Sequence, residues 1–176
     1  MINGDELVKW LGYGVKHPEF VKSMKLMGFR LNGNTSWSNS LSWKANNTLK
    51  LELFTSAHYK QETGLQPYVE SDWIFVDINF MREGYLDAVK ETFSGSLPFG
   101  LSMDNTAVEC LSQMGDSVLN DIYKAPEGYQ DYKILAWVVE DKYIGIAFEN
   151  TTETARIACC GVSINAAKLG WGQNWG

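Results

Sequence analysis

The chain has 176 residues, of which 45% are hydrophobic and 20% are charged, which fits one globular domain and excludes a largely disordered chain. Its formal net charge is −6 and is unevenly placed: residues 1–82 carry 9 Lys/Arg and 8 Asp/Glu, whereas residues 83–176 carry 6 and 13. An acidic second half argues against nucleic acid as a partner and favours a basic protein.

Two short helices are predicted near the N-terminus. Asp5 is a suitable N-cap for a helix that reaches Leu11 and ends at the glycine that follows. Pro18 begins the second helix at a position where a missing N–H costs little. The apolar residues of this helix recur on one face, and Gly28 is a suitable C-cap.

The pattern of residues 32–80 predicts strands of a sheet. Residues 32–42 are rich in Asn and Ser and indicate a loop or a weak strand. Alternation of apolar and polar residues over 49–53 predicts a strand with one exposed face. Residues 55–71 are polar and predict a long connection. The strand predicted over 73–80 places four apolar residues on one side: Ile74, Val76, Ile78 and Phe80.

The second half repeats this order. The segment Gly95–Leu101 precedes a helix whose start is marked by Thr106 and Glu109, a capping-box pair. Gly115 ends that helix. Three strands are predicted, at about 132–139, 143–149 and 154–162, and the tail 170–176 has no periodicity.

The order of helix, glycine and strands therefore occurs twice. We predict an α+β fold in which two helix-plus-antiparallel-strand units share one core within a single domain spanning residues 1–176. The two pseudo-repeats cover roughly 5–80 and 95–162, an arrangement that a diverged duplication would produce.

Few residues are candidates for catalysis. A nucleophile needs a nearby base, and the chain has two histidines. His17 precedes Pro18, where helix capping or exposure to solvent is expected. His58 lies in the polar connection without a Cys or Ser motif around it. We therefore expect no enzyme active site; a hydrolase would require His58 to lie in a cleft beside a nucleophile.

Metal and cofactor motifs were sought in the same way. Cys110, Cys159 and Cys160 lack the paired spacing of a metal site and are expected to be free thiols, with Cys159 and Cys160 on opposite faces of a strand. The glycines do not match a nucleotide-binding loop. The acidic pair Glu140 and Asp141 is expected at a hairpin turn. We expect no metal and no cofactor.

Interaction features are better represented. A predicted loop combines acidic residues with tyrosines, and a second mixed cluster precedes the strand at Trp73; both are equally compatible with ordinary solvation or core packing. The candidate partner-binding residues are Glu70, Asp72, Glu127, Tyr129, Asp131 and Tyr132. No basic region followed by an apolar run begins the chain, and no 18-residue apolar run is present, so we expect a cytoplasmic protein without a membrane span.

The segment Gly95–Leu101, followed by Thr106, Glu109 and Gly115, resembles immunity proteins that accompany bacterial polymorphic toxins, including those of contact-dependent growth inhibition (CdiI-type). The resemblance implies an antitoxin that binds its cognate toxin C-terminal domain 1:1 and occludes the active site. The toxin would act in the cytosol, and we favour a nuclease, specifically an RNase, because its basic cleft would accept an acidic phosphate mimic.

The same helix start is shared with small lipoprotein domains of outer-membrane assembly (SmpA/BamE-like). The alternative is therefore a non-catalytic ligand-binding or scaffold module of envelope assembly. The chain lacks a lipobox cysteine, which argues against this role. An apolar concave pocket would favour it.

Overall fold

A computed structural model describes residues 1–28, 40–42 and 48–164, for 40–42 the backbone only. Within them lie four α-helices, a 3₁₀ turn at Pro98–Gly100 and seven strands. The helices are α1 (Gly4–Val8), α2 (Pro18–Leu26), α3 (Ser56–Thr63) and α4 (Ala107–Met114). The strands are β1 (Ser40–Ser42), β2 (Leu49–Thr55), β3 (Trp73–Met81), β4 (Leu119–Tyr123), β5 (Tyr132–Val139), β6 (Lys142–Phe148) and β7 (Ile157–Ile164). None of the described helices is long and apolar enough to cross a membrane.

The described strands form one antiparallel sheet in the order β1-β2-β3-β7-β6-β5-β4. Strands β1 to β3 are consecutive neighbours, and so are β4 to β7; the two sets meet where β3 pairs with β7. The first set follows α2 in the chain and the second follows α4. The predicted α+β class is therefore confirmed, and the topology has the two helix-plus-strand units in one sheet; their origin by duplication stays an interpretation.

One face of the sheet carries the main core. In register across five strands, the side chains of Leu51, Ile78, Val162, Ile144 and Trp137 lie side by side and are buried. Buried residues of α1, α2 and α4 pack onto the same cluster. Full burial of each such aliphatic side chain contributes about 1.5–3 kcal/mol to the free energy of unfolding. This row of side chains is therefore a large source of the stability of the fold.

A β-bulge corrects the predicted facing of β3. The register against β2 shifts between Glu52 and Leu53, which leaves Val76 as an extra residue in β3. Ile78 and Phe80 face the main core as predicted, but Ile74 and Val76 lie in a separate cluster with Tyr59 of α3. An inserted residue reverses the alternation of faces, and a period-2 pattern cannot reveal it.

The segment 12–15 pairs with the first residues of β3, on the side where β7 pairs with the later residues of that strand. The N–H of Gly12 donates to the Phe75 carbonyl at 2.7 Å, and the N–H of Val15 donates to the Trp73 carbonyl at 3.1 Å. A Cβ on Gly14 would lie 2.3 Å from the Cβ of Ser71. A glycine is therefore required at this position for close backbone approach.

Several predicted boundaries were wrong. The N-cap of α1 is Asn3, whose side chain accepts the N–H groups of Asp5 and Glu6, because the chain enters the helix two residues earlier than predicted. The connection over 55–71 contains α3, and β4 was not predicted. Strand β7 begins at Ile157 because residues 150–154 form a turn. The tail 170–176 and most of the predicted loop 32–42 lie outside the described residues.

Candidate functional site

The segment that carries the family resemblance is a structural anchor. The N–H of Gly4 donates to the Ser96 carbonyl at 2.8 Å, and the N–H of Phe99 donates to the Asp5 carboxylate at 2.9 Å. Phe99 has a φ of +63° and is held half-buried against the main core. The turn before α4 therefore joins the N-terminal helix to the core, and its polar groups are occupied within the chain.

The predicted capping box at the start of α4 is present. The Thr106 hydroxyl accepts the Glu109 N–H at 3.4 Å, and the Glu109 carboxylate accepts the Thr106 N–H at 2.8 Å. This backbone hydrogen bond from Thr106 lowers the pKa of Glu109. At the other end of α4, the Trp137 indole N–H donates to the Gly115 carbonyl at 2.9 Å and fixes the helix over β5.

An ion network closes the end of the sheet where β3 and β6 finish. The buried Arg82 side chain donates to the carbonyls of Ile157 and Met103 and pairs with Asp104 at 3.0 Å. Arg156 and Glu149 are the other two members of the network. The Arg156 guanidinium donates to the Glu149 carboxylate at 3.2 Å. These contacts hold the loop before α4 against the starts and ends of three strands.

His17 lies at the helix start, as predicted, but its side chain neither caps the helix nor is fully exposed. His17 occupies the N-cap position of α2 without a capping hydrogen bond from its side chain, and it lies half-buried against the rings of Trp10 and Tyr13. His58 lies on α3, with its ring centroid 4.3 Å from that of Phe54 and Nδ1 4.0 Å from the Glu62 carboxylate. The contacts of His58 among the described residues include neither a cysteine nor a serine side chain.

The three cysteines are free and buried. Burial raises the pKa of the Cys110 and Cys159 thiols to about 12 and that of Cys160 well above its ordinary value, so the thiolate is strongly disfavoured at neutral pH. Cys160 belongs to the main core and Cys159 to the cluster on the opposite face, as predicted. In the part of the chain that the structure describes, no group of three or more His, Cys, Asp or Glu residues is close enough to hold a metal ion.

The first predicted contact cluster precedes β3 and is paired within the chain. The Glu70 carboxylate accepts hydrogen bonds from Lys60 at 2.7 Å and from the Ser56 hydroxyl. Asp72 pairs with Lys16. Although both carboxylates are exposed, their charges are compensated by neighbouring lysines, which weakens their attraction for a basic partner.

The second predicted cluster is divided between structure and surface. Asp131 accepts a hydrogen bond from Lys124 at 2.7 Å and the Ala125 N–H at 3.0 Å, so it closes the turn between β4 and β5. Tyr132 is half-buried, and its ring stacks on that of Tyr123 with centroids 4.8 Å apart. The remaining two residues, Glu127 and Tyr129, are exposed, Tyr129 to 78%.

The structure does not bring the two clusters together. Strands β3 and β6 run in the same direction because both pair antiparallel with β7. Glu70 and Asp72 precede the start of β3, whereas Asp131 precedes the start of β5, which runs the opposite way. The clusters therefore lie at opposite ends of the sheet, about 25 Å apart for strands of this length.

Several exposed residues instead lie along β4 and the segments that flank it. These residues, here called the acidic edge, are Asp116, Val118, Asp121, Ile122, Glu127 and Tyr129. Residues 116–131 include four acidic residues and one lysine, and that lysine is paired with Asp131. Val118 is 66% exposed and Ile122 is 43% exposed. Exposed apolar side chains bordered by polar residues mark many protein-binding surfaces.

Sequence reasoning found two of these six residues, Glu127 and Tyr129. It missed β4 because its sequence, Leu-Asn-Asp-Ile-Tyr, lacks the alternation of a half-buried strand. The absence of alternation reflects its place at the edge, where neither face is fully covered. The sequence feature that did indicate an acidic surface was the excess of Asp and Glu over Lys and Arg in the second half of the chain.

Comparison with known proteins does not indicate what binds the acidic edge. A scan against protein-family models and searches of curated proteins and solved structures found no match. An apolar pocket beneath β4 to β6 has a volume of about 10 Å³, room for roughly one water molecule. This pocket therefore does not favour a small-molecule ligand.

Proposed function

We propose that this chain is an immunity protein that binds and neutralises a cognate toxin domain. The observation that supports the proposal is the acidic edge. Its exposed apolar side chains, those of Val118 and Ile122, lie in the same segment as three exposed carboxylates without an ion-pair partner among the described residues. These carboxylates belong to Asp116, Asp121 and Glu127. The proposal involves no catalytic step and no cofactor.

The partner class follows from the charge. A nuclease binds phosphates through a basic cleft, and several carboxylates spaced along one edge would compete for that cleft electrostatically. Complementary charge would also speed association. Within this class an RNase acting in the cytosol is our choice, and the antitoxin would then act in the cytoplasm.

Co-expression tests the proposal. The chain is produced together with the protein domain encoded immediately upstream of it, which the proposal identifies as the toxin, and growth, integrity of cellular RNA and recovery of a 1:1 complex are scored. We expect rescue of growth with intact RNA. A variant carrying Asp116→Lys and Glu127→Lys should lose rescue, because both substitutions reverse charges on the acidic edge.

A matched variant controls for net charge. Glu19→Lys with Asp87→Lys makes the same change in net charge at exposed positions outside the acidic edge, and it should rescue growth. Failure of the wild-type chain to rescue growth or to form a complex would contradict the proposal. That result would favour the alternative, a scaffold module of envelope assembly.

A further inference from the structure

Strand β4 leaves one backbone edge unpaired within the described sheet. It is the last strand of the sheet and pairs with β5 in continuous register over all five residues. The N–H of Ile122 donates to the Asp121 carboxylate at 2.7 Å and so does not join the ladder with β5. Since backbone groups alternate sides along an antiparallel strand, the N–H and C=O of Asn120 also face away from β5. Both residues are exposed.

We propose that β4 accepts a β-strand from the basic partner, which extends the sheet by one strand. This inference rests on the proposed function and specifies how the partner is bound. The outward groups of Asn120 and Ile122 provide two donors and two acceptors for an added strand. The exposed side chain of Ile122 then supplies an apolar cross-strand contact.

The charge of β4 determines which strand fits. If two copies of this chain paired antiparallel through β4 about Asp121, the two Asp121 carboxylates would lie opposite each other, and like charges in that position are destabilising. A strand with Lys or Arg at that position would instead attract the carboxylate. The Ile122 N–H would then be released to donate to the incoming strand. A basic partner strand is therefore selected over a second copy.

Two substitutions at one position separate backbone pairing from side-chain contact. Asn120→Pro removes the outward N–H and leaves the donors that face β5 intact, as proline is tolerated on edge strands. Asn120→Ala retains the N–H and removes only the side chain. Binding of each variant to the purified upstream toxin domain is measured by isothermal titration calorimetry. Urea unfolding establishes that both variants are folded.

We expect Asn120→Pro to weaken binding about three- to tenfold relative to Asn120→Ala, the effect of losing one hydrogen bond. Amide hydrogen exchange of the wild-type chain gives a second readout that needs no variant. The N–H groups of Asn120 and Ile122 should become protected in the complex. Equal affinities for the two variants, or unchanged exchange at both amides, would overturn strand addition. Absence of wild-type binding would instead contradict the proposed function itself.

Discussion

The Asp121 carboxylate accepts the N–H of the next residue, Ile122, at 2.7 Å. This contact occupies one of the outward donors of β4 and places a negative charge on the edge of the sheet. Edge strands of natural proteins are commonly protected from unwanted pairing by a charge in this way. The same carboxylate would disfavour pairing between two copies of β4 and would attract a basic strand.

Removal of this carboxylate should promote self-association. In Asp121→Ala the Ile122 N–H is free and the repulsion between two paired copies is lost. We expect a higher weight-average mass than for wild type at equal concentration, measured by sedimentation equilibrium. Asp116→Ala removes an equal charge beside β4 and should leave the mass unchanged. Identical masses for Asp121→Ala and wild type would show that Asp121 does not protect the edge.

Prediction of the fold from sequence succeeded where periodicity was strong. The capping box of Thr106 and Glu109 was sufficient to predict the start of α4. The alternation of apolar and polar residues was sufficient to predict β2. Helix α3 was missed because only Tyr59 and Thr63 of its eight residues are buried. The facing of β3 was predicted incorrectly because the bulge at Val76 depends on the register with β2, which a single strand's pattern does not contain.

Prediction of the candidate site was less complete for a different reason. Sequence identified acidic residues near tyrosines but could not show which charges are compensated. Asp131 closes a turn with Lys124, whereas Glu127 has no ion-pair partner among the described residues. The ion pair between Glu70 and Lys60, ten residues apart in the chain, likewise depends on how the connection after α3 returns past that helix.

Loss of Arg82 should destabilise the fold strongly. Its side chain is buried, and Arg82→Met would leave the carbonyls of Ile157 and Met103 without their donors. We expect a loss of about 3 kcal/mol or more in the free energy of unfolding, measured by urea denaturation. Arg156→Met removes a more exposed member of the same network and should cost much less, because solvent screens its ion pairs. Equal losses for the two variants would contradict the role assigned to Arg82.

Stability should depend on pH through Glu149. Burial raises the pKa of its carboxyl, but hydrogen bonds from Arg156 outweigh this effect and hold the pKa below its ordinary value of 4.5. A lowered pKa in the folded state means that the contribution is complete above the ordinary value and is lost as pH falls through the folded value. The difference in unfolding free energy between wild type and Glu149→Gln should therefore shrink between neutral pH and about pH 3. A constant or growing difference would contradict this assignment.

The backbone at Gly14 lies too close to Val69 and Ser71 to accept a side chain. A Cβ there would lie 2.3 Å from the Ser71 Cβ and 2.6 Å from the Val69 carbonyl oxygen, so Gly14→Ala requires backbone movement. We expect a loss of about 3 kcal/mol in the free energy of unfolding. Gly128→Ala is the control, since its φ of +89° is strained but no atom lies within 4 Å, and it should cost about 1 kcal/mol. Urea denaturation distinguishes the two, and a smaller loss for Gly14→Ala would be inconsistent with this packing.

The salt dependence of association with the upstream toxin domain tests the central claim most directly. Stopped-flow rates are compared for the wild-type chain, the double variant of Asp116→Lys and Glu127→Lys, and the control double variant of Glu19→Lys and Asp87→Lys. Wild type and control should associate rapidly at low salt, and their association should slow steeply as salt is added. The acidic-edge variant should associate slowly with little salt dependence. Rates and salt slopes that are the same for all three proteins would contradict binding through the acidic edge.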